Sequence, residues 1–194
     1  PQEKKEQQTP EAAILAAEAL PLDDAVHLLV ETYEADRYRD GVLYSLCRLP
    51  LAGLSLQEKE RVLKIADGYV AKGIGVLSED PGKDGEIEAQ DEDGGKSLRW
   101  GCRLLEAVGP DACDRVLPIV KAIRLDRTAM AERGFDTPTF HAEDRAVVAV
   151  GMCSERAVPE LLRLLRHVHA VIRLAALRGL ERASPGGHID AIRP

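Results

Sequence analysis

Aromatic side chains are scarce in this chain of 194 residues, at 4% of the total. One tryptophan, four tyrosines and two phenylalanines are too few for a large aromatic core or a base-stacking platform. No apolar run approaches the ~18 residues that cross a bilayer, so no membrane partner is expected. The start, Pro1 to Gln8, is polar and lacks the apolar segment of a secretory leader. It also lacks an initiator methionine, which reads as a processed chain or a piece of a longer protein. Cys47, Cys102, Cys113 and Cys153 are scattered and form no C-x-x-C pair. That pattern predicts free thiols in a reducing, cytoplasmic setting. G-x-S-x-G, H-E-x-x-H, P-loop and Rossmann glycine patterns are all missing, so no catalytic residue and no cofactor is assigned.

What is present is a globular balance, 45% apolar and 30% charged. The formal net charge of -7 disfavours a general nucleic-acid binder. Charge is uneven along the chain. Residues 79–93 hold eight acids and one lysine, whereas residues 155–194 hold seven arginines and four acids.

Helix signals recur from end to end. Thr9-Pro10-Glu11 reads as an N-cap, a proline at the first helical position and an acid in the first turn. Pro21 and Pro50 break the pattern, and Ser55-Leu56-Gln57-Glu58 has the form of a capping box. Further helices are expected near 97–108, 111–125, 142–153, 157–166 and 170–182. Convincing strand alternation is absent, so the class is all-α. The organisation expected is a polar tail over 1–8 and one helical-repeat domain over 9–194. A mobile acidic insertion at 73–95 and an irregular one at 127–141 interrupt it.

One register recurs within these helices. Arg39-Asp40-Gly41-Val42, Arg99-Trp100-Gly101-Cys102, Arg145-Ala146-Val147-Val148 and Arg173-Leu174-Ala175-Ala176 each place compact residues two and three positions after an arginine. Such repetition points to an α-solenoid of stacked antiparallel helix pairs of the HEAT or armadillo kind. The segment from Glu143 to Arg182 carries the pattern most clearly. An Arg-led helix, a short turn, Ala157-Val158-Pro159-Glu160-Leu161-Leu162 and a second Arg-led helix follow in order. This segment resembles the HEAT-like repeats of bilin-lyase-type proteins. The likeness is looser over 97–125 and weaker over 11–72, and the two insertions depart from regular spacing. The resemblance implies a scaffold or adaptor that binds a protein or peptide. A minority of such arrays are lyase or glycosylase subunits, or helical spacers of larger enzymes, and those alternatives stay open here.

Arg39, Arg99, Arg145 and Arg173 have two readings: bonding carbonyls or carboxylates between repeats, or gripping an acidic partner. Trp100, Phe135 and Phe140 are the other candidates for partner contact, because interfaces favour such anchors. Asp80, Asp84, Glu86 and Asp91 partly follow a calcium loop, with Gly85 at its turn position. Gly82 replaces the usual third ligand, and Asp93-Gly94-Gly95 argues against an exiting helix. His167 and His169 have the spacing of a metal pair, with His141, Cys153 and His188 as conceivable partners, yet they read as turn residues.

Overall fold

The computed structural model describes residues 10–17, 19–35, 39–77, 87–125 and 138–183, with backbone alone at 10–13, 76, 87–92 and 138–142. Every regular element among them is helical. In chain order these are α1 (Pro10–Ala17), α2 (Leu22–Glu34), α3 (Arg39–Leu46), α4 (Leu56–Gly73) and α5 (Ile87–Val108). Then follow α6 (Cys113–Ala122), α7 (Pro138–Val150), α8 (Val158–Leu164) and α9 (Ala170–Ala183). Tight 3-10 turns occupy Leu51–Gly53, Ile74–Leu77, Gly109–Ala112 and Gly151–Ala157. None of the described helices is long and apolar enough to cross a membrane.

Helix α5 holds the centre, packing along α4 on one side and α7 on the other, while α7 meets α9. Its face of Leu98, Cys102, Leu105 and Val108 is wholly buried, as the periodicity predicts. Burying each such side chain contributes about 1.5–3 kcal/mol. The compact residues that follow the arginines also turn inward: Val42, Gly101, Cys102, Val147, Ala175 and Ala176 are all buried.

The acidic insertion differs from expectation. Residues 87–95 belong to α5, and the helix runs straight through Gly94 and Gly95. Glycine costs a lone helix roughly 1 kcal/mol per residue, but here it permits a close crossing. A methyl group added to Gly73 would meet the Gly94 carbonyl oxygen and lie 2.7 Å from Leu98 N. One added to Gly101 would lie 2.7 Å from the Val70 side chain and 3.1 Å from the Ala66 carbonyl oxygen. The same device recurs beyond α7, where a methyl on Gly151 would sit 2.8 Å from Gly179 Cα. Helix α5 then stops at Val108 because Gly109 turns to φ 85°. Residues 138–141, expected in the irregular insertion, belong to α7, and 127–137 lie outside the described residues.

Polar clasps fix α4 at its start. Ser55 Oγ accepts the Glu58 amide at 3.5 Å, and the Ser55 amide donates to Asp23 of α2 at 3.0 Å. The Glu58 side chain does not reach back as a capping box predicts. It pairs instead with His27 Nδ1 at 3.1 Å and with Arg61 at 3.2 Å.

The thiols also depart from the sequence expectation. Cys113 at the start of α6 and Cys153 after α7 form a disulfide, which closes a loop 40 residues apart in sequence. The inference from free thiols to a reducing compartment therefore loses its premise. Cys47 and Cys102 remain free. On helix α9, Ile172, Ala175, Ala176 and Gly179 are buried, whereas Val171, Leu174 and Leu177 are exposed.

Two stability measurements check this account. Gly73→Ala should destabilise the fold by roughly 1–3 kcal/mol through overpacking. Gly68→Ala, in open space on the same helix, should stabilise it by roughly 0.5–1 kcal/mol. Urea midpoints for the pair decide the matter; equal effects would contradict the close crossing. Reducing the disulfide should lower stability by about 4 kcal/mol for a loop of this length, read from urea unfolding with and without dithiothreitol.

Candidate functional site

The four arginines in register do not share one role. Arg39 opens α3 and lies over the Tyr33 ring, 5.2 Å from its centroid. Arg99 is half-buried on α5. Arg145 of α7 reaches Glu106 of α5 at 3.5 Å, the inter-helix pairing that the architectural reading expects. Arg173 of α9 donates from Nη1 to the carbonyls of His167 and Val168 at 2.7 and 2.8 Å, closing the turn before its own helix. The clearest architectural arginine is one outside the register. Arg163 of α8 donates to the Val120 and Ile123 carbonyls at 2.7 and 2.9 Å, satisfying the open C-terminal end of α6. It also pairs with Glu160 at 2.8 Å.

Trp100 is half-buried and packs against the core, with the Arg103 guanidinium 5.3 Å above its ring. Phe135, Asp80, Asp84 and Glu86 lie outside the described residues. Phe140 and Asp91 fall within α7 and α5, but their side chains are not described. The objection that the calcium-like loop has no exiting helix does not stand, because α5 starts at Ile87.

The structure instead brings together a cleft of about 320 Å³ where α3, α5 and α7 converge. Tyr44, Cys47 and Arg48 approach from α3 and the turn after it, Arg103 and Glu106 from α5, and Arg145 from α7. Arg48 lies 5.7 Å from the Tyr44 ring centroid, so two of the three guanidinium groups rest near aromatic faces. Tyr44 itself is 51% exposed. Neither Arg48 nor Arg103 pairs with a carboxylate among the described residues. Sequence reasoning missed both. For Arg103 the signal was available, since it sits three residues after Trp100, a spacing that shares a helical face. Arg48 lies in the turn after α3, where helix spacing gives no such signal.

A larger groove of about 400 Å³ runs beside the disulfide, but its charges neutralise one another. Lys59 meets Asp111 at 2.6 Å, Arg115 meets Glu60 at 2.9 Å and Asp67 at 3.0 Å, and Arg156 meets Asp114 at 2.5 Å. It is a laced seam with few unspent donors, whereas the α3–α5–α7 cleft keeps free guanidinium forks.

Nucleophilic chemistry has little support in either place. Burial pushes the Cys47 thiol up to about 11 and the Cys102 thiol up to about 12, so neither is a thiolate at neutral pH. Arg103 and Arg145 pull the Cys47 value the other way, which reflects their closeness across the cleft. No cluster of three metal-ligating side chains occurs among the described residues. In the histidine pair, His167 Nδ1 accepts the His169 amide at 3.0 Å, so that nitrogen is occupied. Cys153 is unavailable to such a site because it is bridged to Cys113. No family model, no curated protein and no solved structure matches the chain.

His167 has a different consequence. It is buried, 1% exposed, and its Nε2 finds no hydrogen-bond partner. Burial, then the neighbouring His169, pushes its titration down to about 4, although the Arg124 backbone opposes the shift. Between pH 6.5 and 4 the unfolded chain takes up a proton that the folded chain refuses. Stability therefore falls as pH drops through this window, by on the order of 3 kcal/mol in all. His167→Gln should remove that component. Urea midpoints from pH 7 to 4.5 should decline less steeply for the variant than for the parent chain, and identical slopes would contradict the assignment.

Proposed function

We propose that this protein is a scaffold or adaptor module built from HEAT-like repeats, arranged as an α-solenoid, that binds a protein or peptide and has no catalysis of its own. The observation that carries this reading is the convergence of Arg48, Arg103 and Arg145, from three separate segments, on one open cleft. Catalytic sites need a titratable group poised beside a reacting atom. Here the one carboxylate lining the cleft, Glu106, is tied to Arg145. The thiol lining it, Cys47, is held protonated. Charged donors near aromatic faces suit recognition better, since interface hot spots concentrate Trp, Tyr and Arg.

The order of packing supports the repeat assignment. Helices α4, α5, α7 and α9 pack in their chain order, α4 on α5, α5 on α7 and α7 on α9, with the shorter α6 and α8 between them in sequence. Glycines at the crossings, Gly73, Gly101, Gly151 and Gly179, let them approach closely. Arginines at α8 and α9 satisfy carbonyls at the turns between helices. In such an array each unit hides its apolar face against the next, and an extended surface is left for a partner.

The test is a pull-down from cell extract with the parent chain and a Trp100→Ala, Arg103→Ala, Arg145→Ala triple variant. Circular dichroism and thermal unfolding serve as fold controls. Capture of specific partners by the parent chain, lost in a folded variant, is the expected result. Capture that persists in the folded variant would remove this face from the binding assignment.

A further inference from the structure

The scaffold reading leaves the chemistry of the partner open, and the cleft between α3, α5 and α7 narrows it. We infer that this cleft binds an acidic peptide segment, with Arg48 and Arg103 holding its carboxylates, Tyr44 and Trp100 bracing those two guanidinium groups, and Arg145 held by the resident Glu106. The inference rests on the scaffold reading and names its ligand class.

Charge is the first argument. The chain carries a net -7 overall, yet the cleft brings three arginines against a single acid. Elsewhere four arginines are already matched to acids. Arg61 has Glu58 and Glu34, Arg115 has Glu60 and Asp67, Arg156 has Asp114, and Arg163 has Glu160. Arg48 and Arg103 have only the flat faces of Tyr44 and Trp100 beneath them. A ring under a guanidinium leaves its N–H edge free to donate. That edge fits a carboxylate with two parallel hydrogen bonds.

Glu106 supplies the second argument. Its carboxylate lies within the cleft wall, 3.5 Å from Arg145 and only 26% exposed. It is a resident acid meeting one of the three cations, and it marks the kind of group this wall accepts. Two cations remain for an incoming acid. The cleft volume, about 320 Å³, exceeds what one small anion fills and matches one or two peptide side chains.

A peptide is favoured over a nucleic acid by the small extent of the basic site. A long polyanion would find only the three arginines of the cleft, so few counterions would be released to reward it. A short acidic segment engages within the cleft, and repulsion from more distant acids is screened beyond the Debye length of about 8 Å at physiological salt.

Binding of fluorescein-labelled hexaglutamate to the full chain, followed by fluorescence anisotropy, tests the inference. Hexaglutamine, inorganic phosphate and oligo(dT) serve as competitors. Saturable binding of hexaglutamate that hexaglutamine does not displace is expected. Arg48→Gln and Arg103→Gln should each weaken it about tenfold, as for loss of one charge-assisted pair. Arg166→Gln, an exposed arginine outside the cleft, should leave it within about twofold. Glu106→Gln should tighten binding several-fold by freeing Arg145. A gain of affinity separates this mechanism from simple misfolding.

Absence of saturable hexaglutamate binding at low salt would overturn the inference. So would an Arg166→Gln loss equal to that of Arg103→Gln. Phosphate competing as well as the unlabelled peptide, or oligo(dT) binding more tightly, would also overturn it and reassign the cleft. The result is separable from the scaffold reading. Partner capture that persists while hexaglutamate fails removes only the acidic-peptide assignment. Hexaglutamate bound by the parent chain, with partner capture unaffected by the triple variant, removes the scaffold role of this face.

Discussion

The whole arrangement depends on how closely α4 and α5 approach. Gly73 and Gly101 have no room for a methyl group, and Gly94 and Gly95 are buried in the same crossing. Backbone meets backbone there. The side chains on either side then interdigitate over a long, dry contact. Wider spacing would open voids along Leu98, Cys102 and Leu105, each a loss of packing and transfer energy. Gly151 and Gly179 repeat the constraint between the turn after α7 and α9. Helix α5 is thereby fixed between two partners, and whatever its far side presents is held in place.

The arginines divide their labour. Some close the structure: Arg163 covers the last carbonyls of α6, and Arg173 covers the turn before α9. Three of these four bonds are half-buried and one is exposed, and in each a charged donor meets a carbonyl beyond the regular helix pattern. Others are left with capacity to spare. Arg48 and Arg103 lie near aromatic rings and keep their donor edges open. The larger groove near the disulfide offers a contrast, because its Lys59, Arg115 and Arg156 are all consumed by acids within the chain. Volume alone would favour that groove. Unspent charge favours the smaller cleft.

Much of the helical pattern was legible in the chain. Pro21, Pro50 and Ser55 mark element boundaries, and the Leu98–Cys102–Leu105–Val108 face appears as expected. The errors have particular causes. Gly94-Gly95 inside an acidic run reads as a loop, because propensity weighs each glycine as a helix breaker and does not see Gly73 across the crossing. Cys113 and Cys153 read as unrelated thiols, because nothing in a spacing of 40 residues announces that α6 and the end of α7 come together. The cleft was half-visible: Arg145 belonged to the recurring register, while Arg48 and Arg103 did not.

Local sequence, then, determined the helical class, most helix boundaries and the inward face of each helix, because periodicity and capping act over a few neighbouring residues. Tertiary structure alone decided which glycines are joints, which cysteines pair and which arginines keep a free edge. Those outcomes depend on residues far apart in the chain arriving at one place, and on whether an acid, a carbonyl or an aromatic ring is waiting there.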